Sequence, residues 1–377
     1  MKRDNLLIVA DSERDANMLY ATGMFVTDPF IYLQIAGKCH AVMSDLEIDR
    51  ARREAPHCRI LSLTHYRQLL LRDGVKRPGL AHVIRALLRE HRLKKVQVPV
   101  NFPHGLARDL RRLRVKVKVR DGGFFPRREF KTADEVKKIS AALMMAEVGL
   151  SEGILAIKNS KIGKDRKLMR HHVPLTSEKL RSIIDIAILQ AGGVANHTIV
   201  AGGKQGCDPH DCGHGPLKAN VPIILDVFPR SQKTGYFGDI TRTVVKGRAS
   251  EAIRRLYHTV AQAQEIGFGM MNHKASALDA HKAVQAHFEK EGFKTGKQKG
   301  RMVGFFHGTG HGLGLEIHEA PHVGATSPDT LYAGQVVTVE PGLYYPELGG
   351  GVRLEDVASI SAKSTRNLTK FEKVLEV

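Results

Sequence analysis

The densest concentration of chemistry-bearing side chains lies between Phe305 and Pro321, FFHGTGHGLGLEIHEAP. Seventeen residues there hold three histidines, two acids and four glycines. Glycine at 308, 310, 312 and 314 disfavours a helix and gives a core nothing to pack. A chain keeps such a pattern where backbone or ligand must approach closely. His307, His311 and His318 therefore sit on a constrained backbone, and the rest of the chain supplies acids to match. One pair is Asp226 and Asp239, in VPIILDVFPRSQKTGYFGDITRTVV. Val221 to Phe228 and Tyr236 to Val245 read as strands about a turn at Pro229 to Gly235, which sets the two acids roughly opposite each other. The other pair is Glu340 and Glu355, roughly opposite across a turn at Pro346 to Gly351. Facing carboxylates repel unless a cation lies between them. Two such pairs and an imidazole make the donor set of a two-metal site for Mn, Co, Zn or Fe(II).

Four motifs in order, GYFGDITRT, HGTGHGLGLEIHEAP, TVEPGLYY and GGVRLED, resemble those of the pita-bread dinuclear metallopeptidases. That family includes methionine aminopeptidases, Xaa-Pro aminopeptidases and prolidases, and the resemblance covers most of residues 131–377. It implies two divalent metal ions per chain, manganese first, with cobalt, zinc or iron as alternatives. Asp226, Asp239, His311, Glu340 and Glu355 would be the ligands. Asp226 would hold one metal, Asp239 and Glu355 would bridge, and His311 and Glu340 would complete the second site. A hydroxide between the cations would attack the bond before proline in a peptide substrate. Glu340 would move its proton. The resemblance also implies a histidine in the strand before the first ligand. His197 is the expected proton shuttle, with His210 and His214 as competitors. His318 would steady the oxyanion or position substrate, and His307 and Arg353 would contact substrate. Asp226 and Asp239 are thirteen apart where eleven is typical of the family, which a longer turn at PRSQKT absorbs.

His307 and the presence of an N-terminal domain favour the aminopeptidase P and prolidase branch. His322 stands where prolidases often carry an arginine, which favours Xaa-Pro aminopeptidase over prolidase, although Arg301 could serve instead. A non-catalytic pita-bread protein that binds nucleic acid or a charged partner is the remote alternative. Such relatives typically lose ligands that this chain keeps.

The elements that must position these residues fall into two groups, an α+β arrangement overall. Residues 1–125 read as a smaller α/β domain similar to the creatinase-type N-terminal domain, which in that family supports a homodimer. Its expected helices are Ser12 to Thr22 with Ser12 as N-cap, Ser44 to Ala55 with a Ser44/Glu47 capping box, Pro78 to His91, and Leu106 to Leu113. Strands are expected at Leu6 to Ala10, Phe30 to Ala36, Cys39 to Met43, Arg59 to Leu63, Lys95 to Pro99 and Val115 to Val119. Residues 126–377 form the pita-bread catalytic domain, entered through DGGFFPRREF. Thr132 caps a long helix from Ala133 to about Ile157. Residues 158–175 read as basic and irregular. Further helices follow at Thr176 to Gln190, Ser250 to Met271 and Ala275 to Glu291. Tyr236, Thr241 and Arg242 flank Asp239. Arg353 shares a strand face with Glu355 and is placed to orient it. The stretch from Cys207 to His214 is expected to be an irregular loop at the site's mouth, since its Cys and His spacing matches no standard zinc finger.

The 377 residues carry a net charge of +19. Residues 1–130 hold 26 Lys and Arg against 14 Asp and Glu, so +12 of that charge lies there. The run RRLRVKVKVR, Arg111 to Arg120, reads as a solvated helix end followed by an edge strand whose lysines block aggregation. No aromatic interleaving accompanies it, so nucleic acid is not an expected partner. No run of 18 apolar residues suggests a membrane span, and the five-residue apolar stretch near the start is too short for a signal peptide. Four scattered cysteines fit a reducing, cytoplasmic setting.

Overall fold

The computed structural model describes residues 5–377. The basic start at Met1 to Asp4 lies outside the described residues. The chain divides into two compact units, Met1–Arg128 and Glu129–Val377.

The first unit contains β1 (Leu6–Ala10), α1 (Ala16–Thr22), β2 (Phe30–Ile35), β3 (Lys38–Met43), α2 (Ile48–Glu54), β4 (Cys58–Ser62), α3 (Leu63–Arg72), α4 (Leu80–Glu90), β5 (Lys95–Val98), α5 (His104–Arg112) and β6 (Lys116–Val119). Its six strands form one mixed sheet in the order β4-β3-β2-β1-β5-β6. Leu7, Ile31 and Leu33 pack on one face with Ile84 and Leu88 of α4. Tyr32 and Ile8 pack on the other with Met18 of α1. This alternation follows from the two-residue period of a strand. The basic run behaves as expected: α5 ends at Arg112, and β6 is an edge strand with exposed lysines.

Three local expectations are corrected. Asp15, not Ser12, caps α1; the Ser12 hydroxyl instead donates to Met24 O and accepts from Val26 N. The Ser44/Glu47 capping box does not form, because Glu47 turns its carboxylate to Arg50. Helix α3 was not expected; it starts directly after β4, with Ser62 ending the strand and capping the helix.

The second unit opens with α6 (Ala133–Lys158), β7 (Lys161–Ile162), β8 (Leu168–Arg170), β9 (Val173–Pro174) and α7 (Ser177–Gln190). It continues with β10 (Gly193–Val194), β11 (Ile199–Gly202), β12 (Ile223–Val227), β13 (Arg230–Ser231) and β14 (Ile240–Val244). Then come α8 (Glu251–Met270), α9 (Ala277–Lys290), β15 (Gly296–Gln298), β16 (Arg301–Val303), β17 (Gly310–Gly312) and β18 (Glu319–Val323). The last strands are β19 (Val336–Val339), β20 (Gly342–Tyr345), β21 (Gly350–Arg353), β22 (Asp356–Ile360) and β23 (Thr365–Asn367). Residues 158–175 are thus not irregular: β7, β8 and β9 form a small antiparallel sheet.

Two sheets matter for the site. One has the order β11-β12-β14 and the other β18-β17-β19-β22-β23. Helices flank them. Leu256 and Val260 of α8 pack with Leu343 and Val352, and Ala280 of α9 packs with Val337 and Val339. Each fully buried aliphatic side chain of this kind contributes about 1.5–3 kcal/mol. Helix α6 starts at a complete capping box, with Thr132 accepting from Glu135 N and the Glu135 carboxylate accepting from Thr132 N. Its length and composition would suffice to cross a bilayer, with mean hydropathy 1.5 over its most apolar window. Ala142, Leu143 and Leu150 are nevertheless buried, and a Cβ on Gly149 would run into Ile188 of α7.

Candidate metal centre

Asp226 lies in β12, whose five residues are all buried. The register pairs Asp226 with Thr241 and Val227 with Ile240. Asp239 therefore does not stand opposite Asp226, as the simple turn required. It lies two residues before Asp226's partner, which keeps both carboxylates on one face. The reason is where the turn sits: the same register runs on to Arg230, which bridges Phe237, and Ser231 N donates to Tyr236 O. The hairpin therefore turns at residues 232–235 rather than over Pro229 to Gly235, while β13 also pairs with β10.

The second acidic pair follows the expected register. Val339 pairs with Asp356 and Gly342 with Arg353, so Glu340 and Glu355 face each other where one long hairpin is interrupted. The first sheet crosses it at this interruption. Glu355 N donates to Thr241 O at 3.1 Å, and Thr241 Oγ1 donates to Glu355 Oε2 at 2.7 Å. Thr241 thus orients an acid, as the sequence suggested.

His311 is carried by β17, wedged between β18 and β19. A Cβ on Gly310 would stand 2.0 Å from Thr338 O, and one on Gly312 would stand 2.2 Å from Ala320 O. The alternate glycines are needed for this close approach of backbones. His311 N donates to Thr338 Oγ1 at 3.0 Å, and Glu340 N to Thr309 O at 2.9 Å. The imidazole and the acid are thereby fixed to neighbouring strands.

The result is one buried cluster. Ligand atoms of Asp239, His311 and Glu355 all lie within 4.8 Å of one another. His311 Nε2 is 3.8 Å from Asp239 Oδ2 and 3.5 Å from Glu340 Oε1. Arg353 Nη2 donates to Asp226 Oδ2 at 2.7 Å, while Asp226 Oδ1 is buried without a hydrogen-bond partner. Burial and the charge of Glu355 push Asp239 well above the usual carboxylate range. Burial and the charge of Glu340 do the same to Glu355, and burial pushes Glu340 up to about 7. His311 is pulled down to about 3 by burial and by His318 beside it, so it is a neutral imidazole. Four acids crowded around a neutral imidazole, one with an orphaned buried oxygen, fit hard divalent cations and little else.

The cluster opens into a cavity of about 470 Å³. His318 lines it, its ring edge-on to His311 at 4.4 Å. His307 lines it too and is hydrogen-bonded to the Tyr344 hydroxyl at 2.9 Å. Burial and Arg353 hold His307 near 3, also neutral. Arg353 borders the cavity, but its guanidinium is engaged: it pairs with Asp226 and donates to Tyr344 at 2.9 Å. The expectation that it orients Glu355 is therefore corrected. Tyr236 and Arg242 also turn elsewhere, to Glu135 and to Asp356.

His197 is not brought to the site. It is exposed, in a positive-φ turn before β11, and does not line the cavity, whereas His210 does. Two residues of importance were missed in the sequence, Tyr344 and Thr338. The repeated aromatic in TVEPGLYY was the available signal for Tyr344. The threonine before the glutamate was the signal for Thr338.

The profile of metallopeptidase family M24 matches residues 137–362, more than half of the chain. The chain belongs to metallopeptidase family M24, and its fold is the pita-bread fold of that family. An uncharacterized peptidase of Bacillus subtilis, YqhT, is 30% identical over 255 residues, covering 63% of this chain and 69% of that protein. A Xaa-Pro dipeptidase of Pyrococcus furiosus is 34% identical over 181 residues. That match spans 47% of this chain and just under half, 48%, of that relative. Among solved structures, an X-Pro aminopeptidase from Thermotoga maritima superposes with TM-score 0.82 at 20% identity, covering 99% of this chain and 97% of that one. A dipeptidase from Pyrococcus horikoshii superposes with TM-score 0.79 at 25% identity, covering 99% and 95%.

Proposed function

We propose that this chain is a Xaa-Pro aminopeptidase that removes the first residue from peptides with proline in second place, using two divalent cations, manganese first. Cobalt, zinc or iron are the alternatives. The metals would be held by Asp226, Asp239, His311, Glu340 and Glu355. When bound, such a pair supplies Lewis-acid activation of water and of the scissile carbonyl. The chain's own groups do the rest. Glu340 exchanges the proton of the attacking water. His318, kept below its usual range by burial and by His210, is a neutral donor facing the cavity. His210 takes the leaving-group role first expected of His197. His307, held by Tyr344, contacts the substrate. Arg353 holds Asp226 in place.

The observation that carries aminopeptidase over dipeptidase is the cation inventory of the cavity. Among the described lining residues Arg353 is the only Lys or Arg, and it is paired with Asp226. A dipeptidase must neutralise its substrate's free carboxylate, and among the described residues no Lys or Arg outside that pair lines this cavity to do so. The prolidase reading draws support from the Pyrococcus furiosus relative. The enzyme is proposed to work as a homodimer, which rests on the family resemblance alone, and in a reducing cytoplasm, with which four free cysteines are consistent. The test is product analysis with manganese-loaded protein on Arg-Pro-Pro and Gly-Pro. Release of arginine from the tripeptide, with the dipeptide intact, is the expected result. Cleavage of Gly-Pro alone overturns it in favour of prolidase.

A further inference from the structure

The outer faces of α6 and α7 form a groove that the metal centre does not use. Two hollows of about 690 and 470 Å³ share Glu152 and Ile183 in their walls, so they adjoin. The walls expose large apolar side chains: Val148 is 45% accessible, Leu155 46%, Ile162 50% and Ile186 56%. Single exposed aliphatics are ordinary, but a continuous concave row is the mark of a docking surface. From Val148 to Asn159 the wall of α6 runs about 16 Å, the length of three helical turns.

One end of this groove is strongly basic. Lys161, Arg170, His171 and His172 line it. Residues 158–172 hold six Lys and Arg against one acid, Asp165. Among the described residues the only ion pair of this segment joins Lys167 to Asp165 at 4.0 Å. Of these cations Lys161 and Arg170 line the groove, against Glu152 as the one acid among its described lining residues, so the lip carries a net positive charge beside an apolar floor.

We propose that this groove receives an acidic amphipathic helix of a partner protein. Its apolar residues at i, i+3, i+4 and i+7 would lie on the floor, and its carboxylates would meet the basic lip. A second copy of the chain is a poor occupant, since a protein of net charge +19 repels its own copies. Nucleic acid would leave the apolar floor uncovered, and a flat bilayer does not fill a concave groove.

The test uses a labelled twelve-residue peptide with leucines at helical spacing and glutamates elsewhere, titrated against the full chain by fluorescence anisotropy. Its twin carries lysines for the glutamates. The acidic peptide is expected to bind at least tenfold more tightly than the twin. Leu155→Asp and Ile186→Asp should each weaken it about tenfold, and the double change K161E/R170E should invert the preference. All of these positions are at least partly exposed and far in sequence from the site, so peptidase activity and melting temperature should stay as in the unaltered chain. Equal binding of the two peptides, no binding of either, or indifference to the floor substitutions overturns the proposal. So does self-association, or pelleting with phosphatidylglycerol vesicles, that Leu155→Asp abolishes, because the occupant would then be a second copy or a membrane.

Discussion

Gly238→Ala would test how the backbone that carries Asp239 into β14 is held. Gly238 immediately precedes Asp239. A Cβ there would stand 2.4 Å from both Ala142 C and Leu143 N, and 2.5 Å from Ala142 O. These are backbone atoms of α6, so no rotamer change can make room. Restoring an ordinary carbon contact moves the strand's lead-in by about 1 Å, and Asp239 moves with it. Overpacking of this kind costs about 1–3 kcal/mol, and each kcal/mol lowers the melting temperature of a unit this size by about 2–4 °C. A misplacement of about 1 Å at the reacting centre costs on the order of 100-fold in rate. Differential scanning fluorimetry with and without MnCl2 would read the first effect, and kcat/KM on Arg-Pro-Pro the second. Gly269→Ala is the control: nothing lies within 4 Å of its Cβ, so it should leave both unchanged or slightly raise stability. A Gly238→Ala protein with unaltered melting temperature, manganese affinity and kcat/KM would refute the reasoning.

Four further outcomes are expected. His210→Ala should lower kcat by about 10²–10⁴-fold, the range of a lost proton-transfer group, while His197→Ala should leave it unchanged. Thr241→Val removes the hydroxyl that orients Glu355 and should reduce metal affinity or activity by about 10–100-fold, read by manganese titration. Arg353→Met leaves the buried Asp226 carboxylate unpaired, at a cost of about 3–5 kcal/mol; the melting temperature should fall further in metal-stripped than in metal-loaded protein, because a cation takes over the neutralisation. Metal-stripped protein should lose stability as pH rises from about 4.5 to about 7. Glu340's folded value of about 7 stands above its ordinary 4.5, so its contribution is complete below 4.5 and gone above 7. Manganese should remove that slope in thermal melts across this range.

Much of the site could be read from the sequence because its constraints are local. The hairpin from Val336 to Ile360 keeps one register on both sides of its interruption, so counting back from its turn places Glu340 opposite Glu355. The same arithmetic fails for Asp226 and Asp239 because the pairing runs on past Pro229, with Arg230 bridging Phe237, so the turn is shorter and centred later than the proline and glycine punctuation suggests. His197 and His210 differ in the same way. Both precede the first acid, and only the path of the chain between β11 and β12 decides which one reaches the cavity. The cap was legible where one residue had one task, as at Thr132. It was not legible where a tertiary partner competed, as at Ser12 with Met24 and Val26. The β7–β9 sheet hid behind its charge, since strands of two or three residues carry no periodicity.

The most direct test of the central claim is a calorimetric manganese titration of metal-stripped protein, with release of arginine from Arg-Pro-Pro followed in parallel. Two sites per chain are expected, with activity rising as they fill. Asp239→Asn and Glu355→Gln should each abolish the activity and reduce the stoichiometry. Full activity in the stripped protein, or two undiminished sites in both variants, would contradict a metal centre built on these residues.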